Sequence, residues 1–257
     1  MKKIIIGNWK MNPQNLPEAR KIFSALKRLA KDFKKTELVI CPPFIYLSQL
    51  QTTNYGLRTI KLGAQDVFEE NPPRGGAYTG QISATMLSNL NVEYVILGHS
   101  ERRSLGETDE VVNRKIKTAL SAGLKPVVCV GENQRDNDGK YLEILRAQIK
   151  NTFQRIKKTD IEKIIVAYEP VWAIGKDPKN YLNGASLFSM IIFIRKILAE
   201  SYGKKTAFKI SIIYGGSVSS FNVLDIFTEG KVSGILPGRA SLDPKEMKEI
   251  LQILETI

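Results

Sequence analysis

The chain holds a single histidine in 257 residues. His99 stands in Gly98-His99-Ser100-Glu101-Arg102-Arg103, directly after the apolar run 94–97 and at the start of a helical pattern. A lone histidine cannot build a metal site with these neighbours, so its chemistry is proton transfer or hydrogen-bond donation. Glu169 follows the apolar run 163–167 and Tyr168, and leads into Pro170-Val171-Trp172-Ala173-Ile174-Gly175. A carboxylate among apolar and aromatic neighbours loses hydration, which favours its taking up a proton. Pro170 stiffens the segment and Gly175 frees its far end, a combination that suits a lid. Lys10, in Gly7-Asn8-Trp9-Lys10, follows the first apolar run and can offset negative charge on a ligand. Two glycine-rich turns, Tyr214-Gly215-Gly216-Ser217-Val218 and Leu236-Pro237-Gly238-Arg239-Ala240-Ser241-Leu242, expose backbone N–H groups of the kind that hold phosphate. Base, imidazole, cation and phosphate cradle together suit proton abstraction beside a carbonyl of a small phosphorylated compound. Each also has a bland reading: a solvated lysine, a structural histidine, a surface-loop glutamate, or glycines that merely turn tightly. Arg102 and Arg103 read as loop supports, and Glu101 with Arg102 as a possible structural ion pair.

These residues are scattered from Asn8 to Arg239, so the fold must bring distant segments together. Short Ile- and Val-rich runs recur at 3–6, 38–41, 59–62, 94–97, 126–130, 163–167, 209–214 and 232–236. Nearly continuous apolar runs of this length suit strands buried on both faces of a parallel sheet. Amphipathic helices lie between them. Ala19, Ile22, Phe23, Leu26, Leu29, Ala30 and Phe33 recur at three and four, as do Leu142, Leu145, Ile149, Phe153 and Ile156, and Met247, Ile250, Leu251 and Leu254. Asp243-Pro244 gives the last helix a cap and a first-turn proline. Eight strands alternating with eight helical segments, with no compositional break, predict one α/β domain over 1–257, a closed (β/α)8 barrel with right-handed crossovers. An open eight-stranded sheet is the alternative, but no G-x-G-x-x-G follows the first strand. In a barrel the chemistry sits where strands end, which is where His99, Glu169, Lys10 and both glycine turns stand.

Composition is that of an ordinary globular chain: 43% hydrophobic, 8% aromatic and 25% charged. The net charge of +12 invites an anionic partner. No RNA- or DNA-binding signature accompanies it, and Lys21, Lys27, Lys31 and Lys34 read as a solvated helix face, so no nucleic acid is expected. A basic binding barrel contacting RNA, or another phosphosugar isomerase, are the competing readings. Cys41 and Cys129 lie in separate strand-like runs and read as buried free thiols in a reducing compartment. The longest apolar run, 190–194, is far too short to span a membrane, and the N-terminal run reads as a strand. The expected address is the cytoplasm.

The stretches GNWKMN, GAYTG, VILGHSERR, PVVCVGE, YEPVWAIG, YGGSV and ASL, in that order over nearly the whole chain, resemble the triosephosphate isomerase family. The resemblance implies a single-domain TIM barrel that interconverts dihydroxyacetone phosphate and D-glyceraldehyde 3-phosphate in glycolysis and gluconeogenesis. It further implies a homodimer with no cofactor and no metal. Glu169 is then the base, His99 the electrophile and Lys10 the cation facing the enediolate. Asn8 and Trp9 line the site, and Gly175, Ser217, Gly238 and Arg239 supply backbone donors to the phosphate. That family is itself the reference case for a neutral imidazole electrophile behind a closing lid. The sequence departs from the family pattern at four places. Ala173-Ile174-Gly175 runs into Lys176-Asp177-Pro178, and Arg239 replaces the second glycine of the strand-eight turn. The loop 68–76 is longer than usual and carries Pro72-Pro73, and Ser104-Leu105 shortens the segment after ERR by one residue. A left-handed backbone at Arg239 would be costly.

Overall fold

The eight apolar runs form eight parallel strands: β1 (Lys3–Asn8), β2 (Thr36–Cys41), β3 (Lys61–Ala64), β4 (Tyr94–Leu97), β5 (Lys125–Val130), β6 (Ile165–Tyr168), β7 (Ser211–Tyr214) and β8 (Gly234–Ile235). In this computed structural model, which describes residues 2–53, 60–72, 75–175 and 181–257, they pair in chain order and β8 closes onto β1. The sheet is therefore a closed barrel and not the open alternative. Side chains alternate between two faces along each strand. Ile4 and Ile6, Val39 and Cys41, Tyr94 and Ile96, Val127 and Cys129, and Ile165 and Ala167 gather in one cluster, the barrel interior. Their neighbours, such as Ile5, Leu38, Ile40, Val95, Val128 and Val166, pack outward against the helices.

Only β4 keeps its expected bounds; the other strands shift by one or two residues at one or both ends, and glycines shape the neighbourhood of two of them, β3 and β8. β3 runs on through Gly63-Ala64, beyond the expected 59–62, whose Thr59 lies outside the described residues. A Cβ on Gly63 would sit 2.4 Å from Cys41 Sγ, so glycine lets β3 lie against β2. β8 keeps only two ladder residues of the expected 232–236; a Cβ on Gly234 would meet the Ile4 carbonyl at 2.2 Å, so this glycine permits closure onto β1.

The crossovers are α1 (Leu16–Leu29), α2 (Phe44–Thr53), α3 (Ala84–Asn89), α4 (Ser100–Ser104), α5 (Asp109–Ser121), α6 (Lys140–Thr152), α7 (Lys158–Ile161), α8 (Gly184–Tyr202), α9 (Lys204–Lys209), α10 (Val223–Thr228) and α11 (Pro244–Thr256). These outnumber the eight expected helical segments because several crossovers break. Gly106 (φ 97°) separates α4 from α5, and Gly203 (φ 82°) separates α8 from α9. The predicted apolar stripes face inward: Ala19, Phe23 and Leu26 on α1, Leu145 and Ile149 on α6, and Met247, Ile250, Leu251 and Leu254 on α11. The Asp243 side chain accepts from the Lys245 amide at 2.8 Å, as its cap position predicts. Lys21, Lys31 and Lys34 are exposed and Lys27 is half-buried. Both cysteines are buried free thiols. Among the described residues no helix is long and apolar enough to cross a membrane.

At the N-terminal end of the barrel, Tyr94 donates to the Glu37 carboxylate, and Lys61 pairs with Glu37 at 3.2 Å and Glu93 at 3.0 Å. Burial alone would raise the Glu37 carboxyl, but the Tyr94 hydroxyl and the Lys61 ammonium outweigh it and hold Glu37 below the ordinary glutamate value. A lowered folded-state value contributes stability above the unfolded value that is lost as pH falls through the folded one. Glu37→Gln therefore lowers stability near pH 7 by no more than about 1 kcal/mol, and the gap from wild type closes below about pH 4. Denaturant unfolding at pH 7 and pH 3 measures both.

Candidate active site

Each strand end contributes to one mouth. At the end of β1, the Asn8 amide donates to Pro237 O at 2.9 Å, which sets this segment beside the last turn. Trp9 is fully buried and its indole donates to Ser241 O at 3.2 Å. Lys10 adopts φ 52°, a left-handed backbone that non-glycine residues rarely take. Its amide donates to the Asn8 side chain at 3.0 Å, and Gln65 Nε2 donates to Lys10 O at 2.8 Å and to Cys41 O at 2.9 Å. The strained residue is thus held from both sides, and its ammonium lies 2.6 Å from Glu101. The alternative Glu101–Arg102 pair is not formed among the described residues: Lys10 takes Glu101, and Arg102 pairs with Asp66 at 2.9 Å, which makes it a loop support as read.

His99 caps α4. Its Nδ1 accepts the Glu101 backbone N–H at 3.1 Å. An amide can only donate, so Nδ1 carries a lone pair and the ring proton sits on Nε2. That nitrogen lies 3.4 Å from Glu169 Oε1. The positive end of the short helix favours the same proton arrangement. The loop under His99 is braced as expected by Arg103, which donates to Gly98 O at 2.8 Å and pairs with Asp109 at 2.6 Å. After the shortened Ser104-Leu105 segment the chain turns at Gly106, and Glu107 accepts from the Gly98 amide at 3.1 Å. Buried Lys115 binds Glu107, and binds Asp66 at 2.6 Å.

Glu169 is 2% exposed. Its amide donates to Val130 O at 2.8 Å and its Oε2 accepts from the Ser100 amide at 3.2 Å. Two glycines make room for it: a Cβ on Gly131 would overlap Glu169 O at 1.8 Å, and one on Gly215 would meet Glu169 Cγ at 2.7 Å. Burial first, and the adjacent Glu169 carboxylate second, push the Cys129 thiol far up and keep its proton in place.

The first turn after β6 hangs on a residue the sequence did not single out. Glu132, 1% exposed, accepts from Tyr168 Oη at 2.9 Å, Trp172 Nε1 at 3.0 Å and Arg135 Nε at 3.1 Å. Burial first, then the Glu132 charge, push the Tyr168 phenol well up. Glu132→Ala leaves buried donors without an acceptor and costs about 3 kcal/mol, read as a lowered denaturant midpoint. The signals for Glu132 were its place just after β5 and its standing as the last residue of the PVVCVGE stretch.

Opposite these residues, Gly175 takes φ 72° and Ser217 Oγ donates to Ala173 O at 2.9 Å. Lys176-Asp177-Pro178 lie outside the described residues, as does Pro73. Arg239 avoids the costly left-handed backbone: it opens a 3₁₀ turn, Arg239–Leu242, while Gly238 takes φ −90° and ψ −89°. Asn8, Trp9, Lys10, His99, Glu169, Gly175, Ser217, Gly238 and Arg239 all line one cavity of about 520 Å3. Every candidate drawn from the sequence is therefore in the same place.

Fold and site together define a barrel enzyme arranged for acid–base chemistry on a small anion. A model of the triosephosphate isomerase family matches residues 3–254. The chain is 40% identical to the triosephosphate isomerase of Dictyoglomus thermophilum, covering 98% of this chain and 99% of that one. It is 43% identical to that of a Thermoanaerobacter species, covering 96% and 98%, and 42% identical to that of Fusobacterium nucleatum, covering 97% of each. The chain belongs to the triosephosphate isomerase family, and its activity is that of an isomerase.

Proposed function

We propose that this chain interconverts dihydroxyacetone phosphate and D-glyceraldehyde 3-phosphate through an enediolate, in glycolysis and gluconeogenesis. The observation that carries this reading is Glu169 Oε1 standing 3.4 Å from His99 Nε2 within a cavity that also holds Lys10 and both glycine-rich turns. Glu169 takes the proton from the carbon beside the carbonyl, and the electron pair moves onto the carbonyl oxygen. The Nε2–H of His99 donates to that oxygen and Lys10 offsets its charge. The carbon-bound proton returns from Glu169 to the neighbouring carbon, and the hydroxyl proton passes from that hydroxyl oxygen to the former carbonyl oxygen by way of His99 Nε2, so atoms and charge balance with no added reactant. Asn8 and Trp9 shape the wall. Gly175, Ser217, Gly238 and Arg239 present backbone N–H groups to the phosphate.

The reading extends to a single catalytic domain over 1–257, a cytoplasmic address, no cofactor and no nucleic-acid partner. It also includes a homodimer. Exposed Met11 and Ile45 support that assembly: they flank a contact in which Tyr46 Oη donates to Pro13 O at 2.9 Å, and large apolar groups so placed suit a partner surface. Sedimentation of the purified chain at micromolar concentration is expected to give a dimer mass, and a monomer mass would remove that part. A coupled assay on both triose phosphates is expected to show turnover in either direction. Turnover of another phosphosugar with neither triose active would reassign the substrate.

A further inference from the structure

Beyond the glycine turns the cavity wall changes character. It continues through Arg239, Asp243 and Glu246. Asp243 caps α11, and Glu246 accepts from the Ser220 amide at 2.6 Å. Counting Glu169, the cavity is lined by three carboxylates against two permanent cations, Lys10 and Arg239. Lys10 is bound by Glu101 at 2.6 Å. Arg239 is exposed and, among the described residues, its guanidinium makes no hydrogen bond or ion pair. It is thus the cation of this wall that is free to meet a ligand.

A cradle of neutral N–H groups beside Asp243 and Glu246 presents a poor field to a phosphate dianion. A guanidinium offsets those charges, and its planar fork matches two phosphate oxygens at once. The backbone raises no objection, since Arg239 sits in the 3₁₀ turn and not at positive φ. A Cβ on Gly238, just before it, would sit 3.4 Å from Lys10 Cε and 3.9 Å from Asn8 O, so the phosphate turn, Lys10 and the root of the Arg239 side chain adjoin. We propose that the Arg239 side chain is a specificity-determining residue that closes onto the phosphoryl group, adding charge-assisted hydrogen bonds to those of the turns. This rests on the reading that the two glycine-rich turns hold the substrate phosphate.

The test uses the full chain and three variants. Arg239→Gln removes the charge but keeps a long polar side chain, Arg239→Lys keeps the charge, and Arg239→Gly restores the glycine pair of the family pattern. Inorganic phosphate is titrated calorimetrically, and KM and kcat are measured with both triose phosphates. In Arg239→Gln we expect phosphate affinity to fall about five- to tenfold and KM to rise by a similar factor, with the smaller effect on kcat. Arg239→Lys should recover most of the loss. The salt dependence of phosphate binding should also be shallower in Arg239→Gln than in wild type. Unchanged phosphate affinity and KM in both Arg239→Gln and Arg239→Gly would overturn the proposal. Because the titration needs no turnover, wild-type protein that binds phosphate through Arg239 yet converts neither triose would overturn the proposed reaction and leave this inference standing.

Discussion

Glu169→Gln lowers turnover by on the order of 10²–10⁴ while the protein stays folded. An amide matches the carboxylate in shape, so the space left by Gly215 is still filled, and the carboxamide oxygen still accepts from the Ser100 amide. What it cannot do is take a proton from carbon. The loss therefore falls on kcat, with KM little changed, because three of the four proposed phosphate contacts, Ser217, Gly238 and Arg239, follow other strands and the fourth, Gly175, lies six residues past Glu169. Glu169→Asp gives an intermediate result: it keeps the acid but retracts it by one methylene, and misplacement of about 1 Å costs a large rate factor. Steady-state kinetics on the two variants, with an unfolding curve for each, checks the ordering wild type, aspartate, glutamine. A glutamine variant with wild-type turnover would remove Glu169 as the base.

The largest stability effect is expected at Lys115, which is 4% exposed and holds Asp66 and Glu107 together. Lys115→Met keeps the apolar stem but takes the ammonium from two carboxylates, leaving buried Glu107 with Arg102 only at 3.8 Å while Asp66 keeps Arg102 at 2.9 Å. Breaking a buried ion pair from one side costs about 3–5 kcal/mol. The pH dependence has a definite sign. Burial, and after it the opposing pull of Lys115, leaves the Asp66 carboxyl above its ordinary value. A raised carboxyl favours the folded state at low pH, and that contribution is lost as pH rises through the folded value. Removing Lys115 strengthens this tendency, so the deficit of Lys115→Met is largest at pH 7–8 and shrinks toward pH 4. Equilibrium denaturation across that range measures it. Since Glu107 also holds the Gly98 amide beside His99, the variant should lose kcat even where it remains folded.

The two cases mark what the sequence could reveal. β4 was readable to the residue because Tyr94-Val95-Ile96-Leu97 is an unbroken apolar run. β3 runs past its expected end because Gly63 holds no hydrophobic signal, yet its missing side chain lets β3 approach β2; β8 keeps only two ladder residues of its apolar run, and Gly234 there lets it approach β1. His99 and Glu169 were legible from type and place alone: a lone imidazole and a carboxylate, each just past a buried strand. Their supports were not. Gln65 reaches Lys10 O across 55 positions, and Lys115 reaches Asp66 across 49. Nothing local distinguishes such residues from solvated ones until the barrel closes. The alternative of a Glu101–Arg102 pair is displaced for the same reason, since Lys10 arrives from 91 positions away. Arg239 shows the converse: the sequence flagged a steric problem, and the backbone resolves it by using a 3₁₀ turn.

The central claim is that Glu169 exchanges a proton with substrate carbon while His99 attends the oxygen. Incubating the purified chain with dihydroxyacetone phosphate in deuterium oxide, and following the carbon-bound protons by NMR, tests it directly. The account predicts enzyme-dependent deuterium entry at one carbon beside the carbonyl, reduced in Glu169→Gln by the same factor as turnover. Deuterium entering at the wild-type rate in Glu169→Gln would contradict it.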